Sequence, residues 1–277
     1  MFKCIAPCPK IWIFLCTRFH MKRQILPLLL FLPLLCCFAQ PVRPTVERLN
    51  STLENKTTAL NPEYLLFRVG EATKAPQPLL IYLHGGGGKG TDIRRIEGQV
   101  RQLTDGIQRF RKGPCLIVAP QCLRQSKDGA RATWDHKDLN ALLAHLKATL
   151  PIDTRRIYLT GNSMGGFGSW MWGGHNPEHF AAIAPVVGGI GYGGPTDVTK
   201  DLDAWADNLA NVPVFAFVGA LDKVVPADRS ERMVAAIRKA GGTQVRFRSY
   251  PEEGHNARRV TYGTAEFYDW MFALRRE

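Results

Sequence analysis

The stretch Ile157-Tyr158-Leu159-Thr160-Gly161-Asn162-Ser163-Met164-Gly165-Gly166 constrains the fold more than any other part of this 277-residue chain. A short apolar run turns abruptly through small residues at a serine. Gly-x-Ser-x-Gly between a strand and a helix makes a sharp, strained turn that lifts one hydroxyl above the end of a sheet. Glycines two positions either side of Ser163 let the two arms approach without a Cβ clash. The bland alternative is a glycine-rich connection carrying an ordinary serine. The choice depends on whether the rest of the chain supplies a base, an acid and oxyanion donors in a workable order.

The surrounding pattern supplies a sheet for such a turn. Residues 64–69 form a strand candidate, and 79–83 is a continuous apolar run of the kind found in strands covered on both faces. Ile93, Ile96, Val100, Leu103, Ile107 and Phe110 recur every three or four residues, which is one face of a helix packed on a sheet. Further strands are expected at 116–119, 157–159, 181–187, 212–218 and 245–247, and helices at 139–150, 167–172, 233–240 and around Trp270. Gly241-Gly242 is a stop signal for the third of these helices. Strands alternating with helices specify an α/β fold, a mostly parallel sheet with helices on both faces. One catalytic domain, 62–277, follows a polar arm at 40–61 that carries prolines at 41 and 44.

Residues 1–39 read as a signal peptide region. Met21-Lys22-Arg23 precedes an apolar run ending in small residues ahead of Gln40, and translation is expected to begin at Met21. The run is broken by Pro27 and Pro33 and is shorter than the about 20 apolar residues of a membrane span. The expectation is a secreted or periplasmic protein with no stable membrane insertion of the mature chain. The removed segment holds five basic residues and no acid, so the formal charge falls from +12 to +7. That charge is scattered among acids without long basic runs, which argues against nucleic acid as a partner and leaves an acidic or polymeric substrate open. Five of the seven cysteines also lie in the segment. Cys115 and Cys122 remain, separated by an extended-looking run that holds them apart, so both are expected to be free or loosely partnered. No Cys and His cluster has zinc spacing, and neither metal nor cofactor is expected.

A serine hydroxyl is a weak nucleophile at neutral pH and needs a base, which in turn needs an orienting acid. In sheets of this kind the partners follow in the order serine, acid, histidine. Downstream of Ser163, Asp222 stands just after the strand at 212–218, and His255 stands after the strand at 245–247. Asp228, Glu252 and Glu253 are the alternative acids. Two backbone N–H groups should converge on the developing oxyanion. Met164, the residue after the nucleophile, is one candidate donor, and the loop His84-Gly85-Gly86-Gly87-Gly88 offers Gly86 as the other, with Gly87 second. The His84 side chain is expected to brace this loop. The tetraglycine lacks the Gly-Lys-Ser/Thr spacing of a phosphate loop. Trp134 and Gln121 are the candidates for lining the substrate pocket, whereas Trp170 and Trp172 on the helix after the turn read as core.

The segments Leu83-His84-Gly85-Gly86-Gly87-Gly88, Ala119-Pro120-Gln121-Cys122, Gly161-Asn162-Ser163-Met164-Gly165-Gly166, Gly219-Ala220-Leu221-Asp222 and Gly254-His255-Asn256 together resemble secreted α/β-hydrolases of the predicted-peptidase and carboxylesterase group. That group is close to dienelactone hydrolase-like, polyhydroxyalkanoate depolymerase-like and feruloyl esterase proteins. The resemblance spans Tyr64 to the C-terminus. It implies the α/β-hydrolase fold and a serine hydrolase acting on small-molecule or polysaccharide-linked esters. The rival readings are a serine peptidase of prolyl-oligopeptidase-like type and a catalytically silent binding protein on the same fold.

Overall fold

The structure, a computed structural model, describes residues 42–71, 73–111, 113–191, 194 and 196–277. The expected signal peptide region and the expected start at Met21 lie outside the described residues. Eight strands form one sheet: β1 (Thr45–Arg48), β2 (Leu60–Val69), β3 (Gln77–Leu83), β4 (Cys115–Cys122), β5 (Ile152–Asn162), β6 (Ala182–Val186), β7 (Val214–Gly219) and β8 (Val245–Tyr250). Their spatial order is β1-β2-β4-β3-β5-β6-β7-β8. β1 and β2 run antiparallel to their neighbours, and the other pairings are parallel.

The arm at 40–61 takes part in this sheet. Thr45–Arg48 is its edge strand, helix α1 (Ser51–Lys56) follows, and β2 already begins at Leu60, so a boundary at 62 falls inside a strand. Alternating charge and short length suit β1 to an edge, where unpaired backbone must not recruit another chain. Asn50 starts α1 by accepting from Leu53 N–H at 2.9 Å.

Seven more helices cover the sheet: α2 (Glu97–Phe110), α3 (His136–Thr149), α4 (Met164–His175), α5 (Leu202–Leu209), α6 (Asp228–Lys239), α7 (Arg258–Thr261) and α8 (Ala265–Phe272). Strand residues alternate between two cores because successive side chains of a strand point to opposite faces. Leu79, Ile81 and Leu83 join the core made with α3, α4, α5 and α6, whereas Leu80 and Tyr82 join the core made with α2 and α8. Every residue of β3 is buried, as its unbroken apolar run requires. Trp170 and Trp172 are fully buried in the first core, and their indole N–H groups donate to Ser230 Oγ and Asn140 Oδ1. Burying each indole is worth roughly 2 to 3 kcal/mol, and both polar tips are satisfied.

Cys115 and Cys122 sit at opposite ends of β4, buried and free, and burial pushes both thiols up to about 12. No helix among the described residues is long and apolar enough to cross a membrane.

Candidate active site

β5 delivers Ser163 at its C-terminal end, and α4 starts at the next residue. Ser163 has φ 54° and ψ −121°, a region that costs a non-glycine residue about 1 to 3 kcal/mol. The surroundings enforce it. Ser163 N–H donates to the Val186 carbonyl of β6 at 3.0 Å, and Phe167 N–H closes the first turn of α4 onto the Ser163 carbonyl. A Cβ at residue 165 would sit 1.8 Å from the Leu83 carbonyl oxygen, and one at 161 would sit 2.5 Å from the Gly165 oxygen. The two glycines are therefore needed because backbone passes where side chains would be.

The structure brings Ser163, His255 and Asp222 together. His255 Nε2 lies 2.8 Å from Ser163 Oγ, and His255 Nδ1 lies 2.8 Å from Asp222 Oδ2. A carboxylate only accepts, so Nδ1 carries the proton and Nε2 is free to accept from the serine hydroxyl. The Asp222 side chain is buried, and its other oxygen accepts from the N–H groups of Val224 at 2.8 Å and Val225 at 2.9 Å. Those two bonds hold the carboxylate plane facing the imidazole. Among the described residues, Glu252, Glu253 and Asp228 make no hydrogen bond or ion pair with His255, and Asp228 pairs with Arg229 and Arg232.

Gly86 and Met164 both line the cleft above Ser163. Met164 is the first residue of α4, so its amide has no partner within the helix, and the positive end of the helix dipole points the same way. Gly86 begins a short 3-10 turn, Gly86–Gly88, in an unstrained conformation with open space around its Cα.

The loop bearing Gly86 is braced by side chains. His84 Nε2 accepts from Cys122 N–H at 3.0 Å, which fixes the proton on Nδ1 and directs it to the Gly85 carbonyl at 2.7 Å. His84 is fully buried, and burial pushes its pKa down to about 4, so the ring is neutral near pH 7. Gly85 N–H donates to Gln99 Oε1, and Trp134 Nε1 donates to the His84 carbonyl.

Gln121 does not line the pocket. It is completely buried, donating through Nε2 to the Gly88 and Asp92 carbonyls at 2.8 Å each and accepting from Asn61 Nδ2 at 2.7 Å. Its amide satisfies the carbonyl of the buried Gly88 and shares the Asp92 carbonyl with Arg95 N–H, so it acts as a brace. Trp134 does line the cleft, with only a sliver of the ring exposed.

The cleft encloses about 530 Å³. Its floor includes Phe167 and Met171 of α4, and its rim includes Val224 and Val225, whereas Lys89, Arg124 and Arg131 line it from loops after β3 and β4. These cations had no periodic signature in the sequence, since they sit in irregular loops. Another unforeseen contact is Tyr82 OH to Asn162 Oδ1 at 2.5 Å, a buried tie immediately before the serine. Among the described residues no cluster of His, Cys, Asp or Glu could hold a metal ion.

Residues 121–260 match the model of the dienelactone hydrolase family. A protein of Methylorubrum extorquens, provisionally named a carboxymethylenebutenolidase, is 36% identical over 43% of this chain and 40% of its own length. An Aspergillus niger protein provisionally named feruloyl esterase C is 22% identical over 78% of this chain and 77% of its own. The crystal structure of a thermostable esterase superposes with a TM-score of 0.66 at 24% identity, covering 85% of this chain and 64% of that one. At that identity the superposition speaks for the fold alone. The chain thus spans under half of the Methylorubrum relative and under two thirds of the esterase.

Proposed function

The chain belongs to the dienelactone hydrolase family, and from that premise we propose that it is a serine carboxylesterase working through a covalent acyl-enzyme. The observation that carries this reading is the unbroken relay from Asp222 Oδ2 through His255 to Ser163 Oγ, with 2.8 Å at each step. Ser163 Oγ attacks the ester carbonyl carbon while His255 Nε2 takes its proton. Asp222 holds the imidazole in the productive tautomer and stabilises the imidazolium. The carbonyl oxygen, now negative, accepts from the Gly86 and Met164 amides, each donor being worth about 3 to 4 kcal/mol in related sites. His255 returns its proton to the leaving alkoxide, the C–O bond breaks, and the acyl group stays on Ser163. Water then attacks the acyl-enzyme with His255 again as base, releasing the carboxylic acid and restoring the serine.

The buried Asp222 and the strained Ser163 favour an active enzyme over a silent binding protein on the same fold, because neither arrangement is needed to form a surface. Replacing Ser163 with Ala should lower hydrolysis of 4-nitrophenyl butyrate by at least about a thousandfold, with the circular-dichroism spectrum unchanged. Full activity in that variant would overturn the assignment. Chromogenic peptides run in parallel separate ester from amide cleavage, and peptide turnover above ester turnover would favour a peptidase.

A further inference from the structure

The cleft over Ser163 is electrically one-sided. The sheet order places β4 and β3 on one flank of β5, and β6 and β7 on the other. With neighbouring strands about 4.8 Å apart, the β4 and β7 ends of the cleft lie roughly 19 Å from each other. The β7 end is lined by Val224 and Val225. The β4 end is lined by Lys89, Arg124 and Arg131, and among the described residues no Asp or Glu lines the cleft.

The cationic end is built. Residues 124–132 fold back as a small hairpin: Ala132 N–H donates to the Arg124 carbonyl, Gln125 bridges to Arg131, and Ser126 N–H donates to Ala130. This pairing sets Arg131 opposite Gln125 and Ala132 opposite Arg124, so that both arginines, seven positions apart in sequence, reach the same cleft. The hairpin is tied to the residues that lead into β2 through Leu123 N–H to the Ala59 carbonyl and Lys127 N–H to the Thr58 carbonyl. Lys89 Nζ donates to the Ala132 carbonyl, which sets the ammonium against the same hairpin. None of Lys89, Arg124 and Arg131 has a carboxylate within ion-pair distance among the described residues, although eleven ion pairs occur elsewhere.

Lys89 and Arg124 also line a second cavity of about 380 Å³, which adds Arg95 and a single acid, Asp92. The two cavities therefore share a wall. Several cations without a carboxylate partner, spread over two adjoining cavities, match a ligand carrying a carboxylate on successive units. A single small acid would leave the outer cations unused.

We propose that the groove lined by Lys89, Arg124, Arg131 and Arg95 is a subsite for an acidic oligosaccharide, so that the ester cleaved at Ser163 is one borne by a uronate-containing chain. The proposal rests on the esterase reading for the cleaved bond, but binding at the groove can be measured without it.

Calorimetry with the Ser163→Ala protein compares tetragalacturonate with neutral xylotetraose. Tetragalacturonate should bind at least about tenfold more tightly, and Arg124→Gln with Arg131→Gln should abolish that margin, as should salt at about 1 M, where the Debye length falls to about 3 Å. Arg131→Lys, which keeps the charge, should retain most of it. With the unmodified serine, kcat/KM should favour acetylated oligogalacturonate over acetylated xylo-oligosaccharide through a lower KM, and the double substitution should bring the ratio near one. Equal binding of the two tetrasaccharides, or a margin that survives the double substitution, overturns the subsite. A preference seen only for a small anionic ester such as 4-nitrophenyl hydrogen succinate overturns its oligosaccharide assignment. Selective binding without hydrolysis of any ester would leave the subsite standing and overturn the esterase reading instead.

Discussion

The elbow at residues 161–165 and the loop at 85–88 are both glycine-rich turns after parallel strands that converge on the same cleft, yet only the first is crowded by neighbouring backbone, the loop being tight only at Gly88, against the His84 ring. At the elbow, added methyl groups would collide with carbonyl oxygens of Leu83 and Gly165. At the loop, Gly86 has nothing within 4 Å of where a Cβ would be, and Gly87 meets only the tip of Gln99 at 4.0 Å. What holds the loop is a set of polar side chains: the buried His84 and Gln121 and the half-buried Gln99. One turn is shaped by sterics between backbones, the other mainly by hydrogen bonds from polar side chains, two of them carried by other elements. The difference predicts where each can be broken.

The largest effect is expected at the elbow. Gly165→Ala forces a methyl into the Leu83 carbonyl, which is backbone of the central strand β3 and cannot move aside. The variant should lose more than about 4 kcal/mol, read as loss of soluble protein or a collapsed urea midpoint. A variant with unchanged stability would show that the close approach is not real.

The next effect sits in the brace of the loop and is visible through pH. Burial lowers the His84 pKa from 6.5 to about 4. Between these values the unfolded chain binds a proton that the folded protein refuses, so stability rises with pH across this window. The contribution is fully present above pH 6.5 and is lost as pH falls toward 4, about 3 kcal/mol in total. His84→Asn removes the titrating group, so the fall in urea midpoint between pH 7 and 4 should be shallower than in the unmodified protein. Parallel curves would mean that His84 is not buried neutral. Other histidines with lowered pKa values, such as His145 and His179, contribute equally to both proteins and cancel in the difference.

The smallest effect is the sharpest contrast with Gly165. Gly86→Ala meets open space, is not in the left-handed region and keeps the N–H assigned to the oxyanion. Its stability should change by less than about 0.5 kcal/mol by thermal melt. A loss comparable to that of Gly165→Ala would abolish the distinction between the two turns.

Much of this was legible from residue patterns. Ser163 between paired glycines, Asp222 and His255 just past strand ends, and the continuous runs of β3 and β4 are local signals, and the structure puts those three side chains within hydrogen-bond reach. Gln121 was not legible. Polar and placed after a strand end, it reads as pocket lining, but its amide faces inward, where it donates to the Gly88 and Asp92 carbonyls and accepts from Asn61. The arm was also misplaced. Thr45–Arg48 is too short and too charged to read as a strand until β2 offers it an edge. Arg124 and Arg131 read as scattered loop charge, and only the fold-back of 124–132 brings both to the cleft.

The amino-acid order alone determined the alternation of strands and helices, the covered faces of the sheet, and the turn that lifts Ser163. Each of these depends on steric and periodic preferences acting over a few residues. Tertiary structure decided the strand order that sets β4 beside β3. That adjacency brings Cys122 N–H to His84, Gln121 beneath the 85–92 loop, and the 124–132 hairpin to the mouth of the cleft. The physical reason is that strand neighbours are chosen by which faces and edges can be buried together. That is a property of the whole sheet, and no window of sequence contains it.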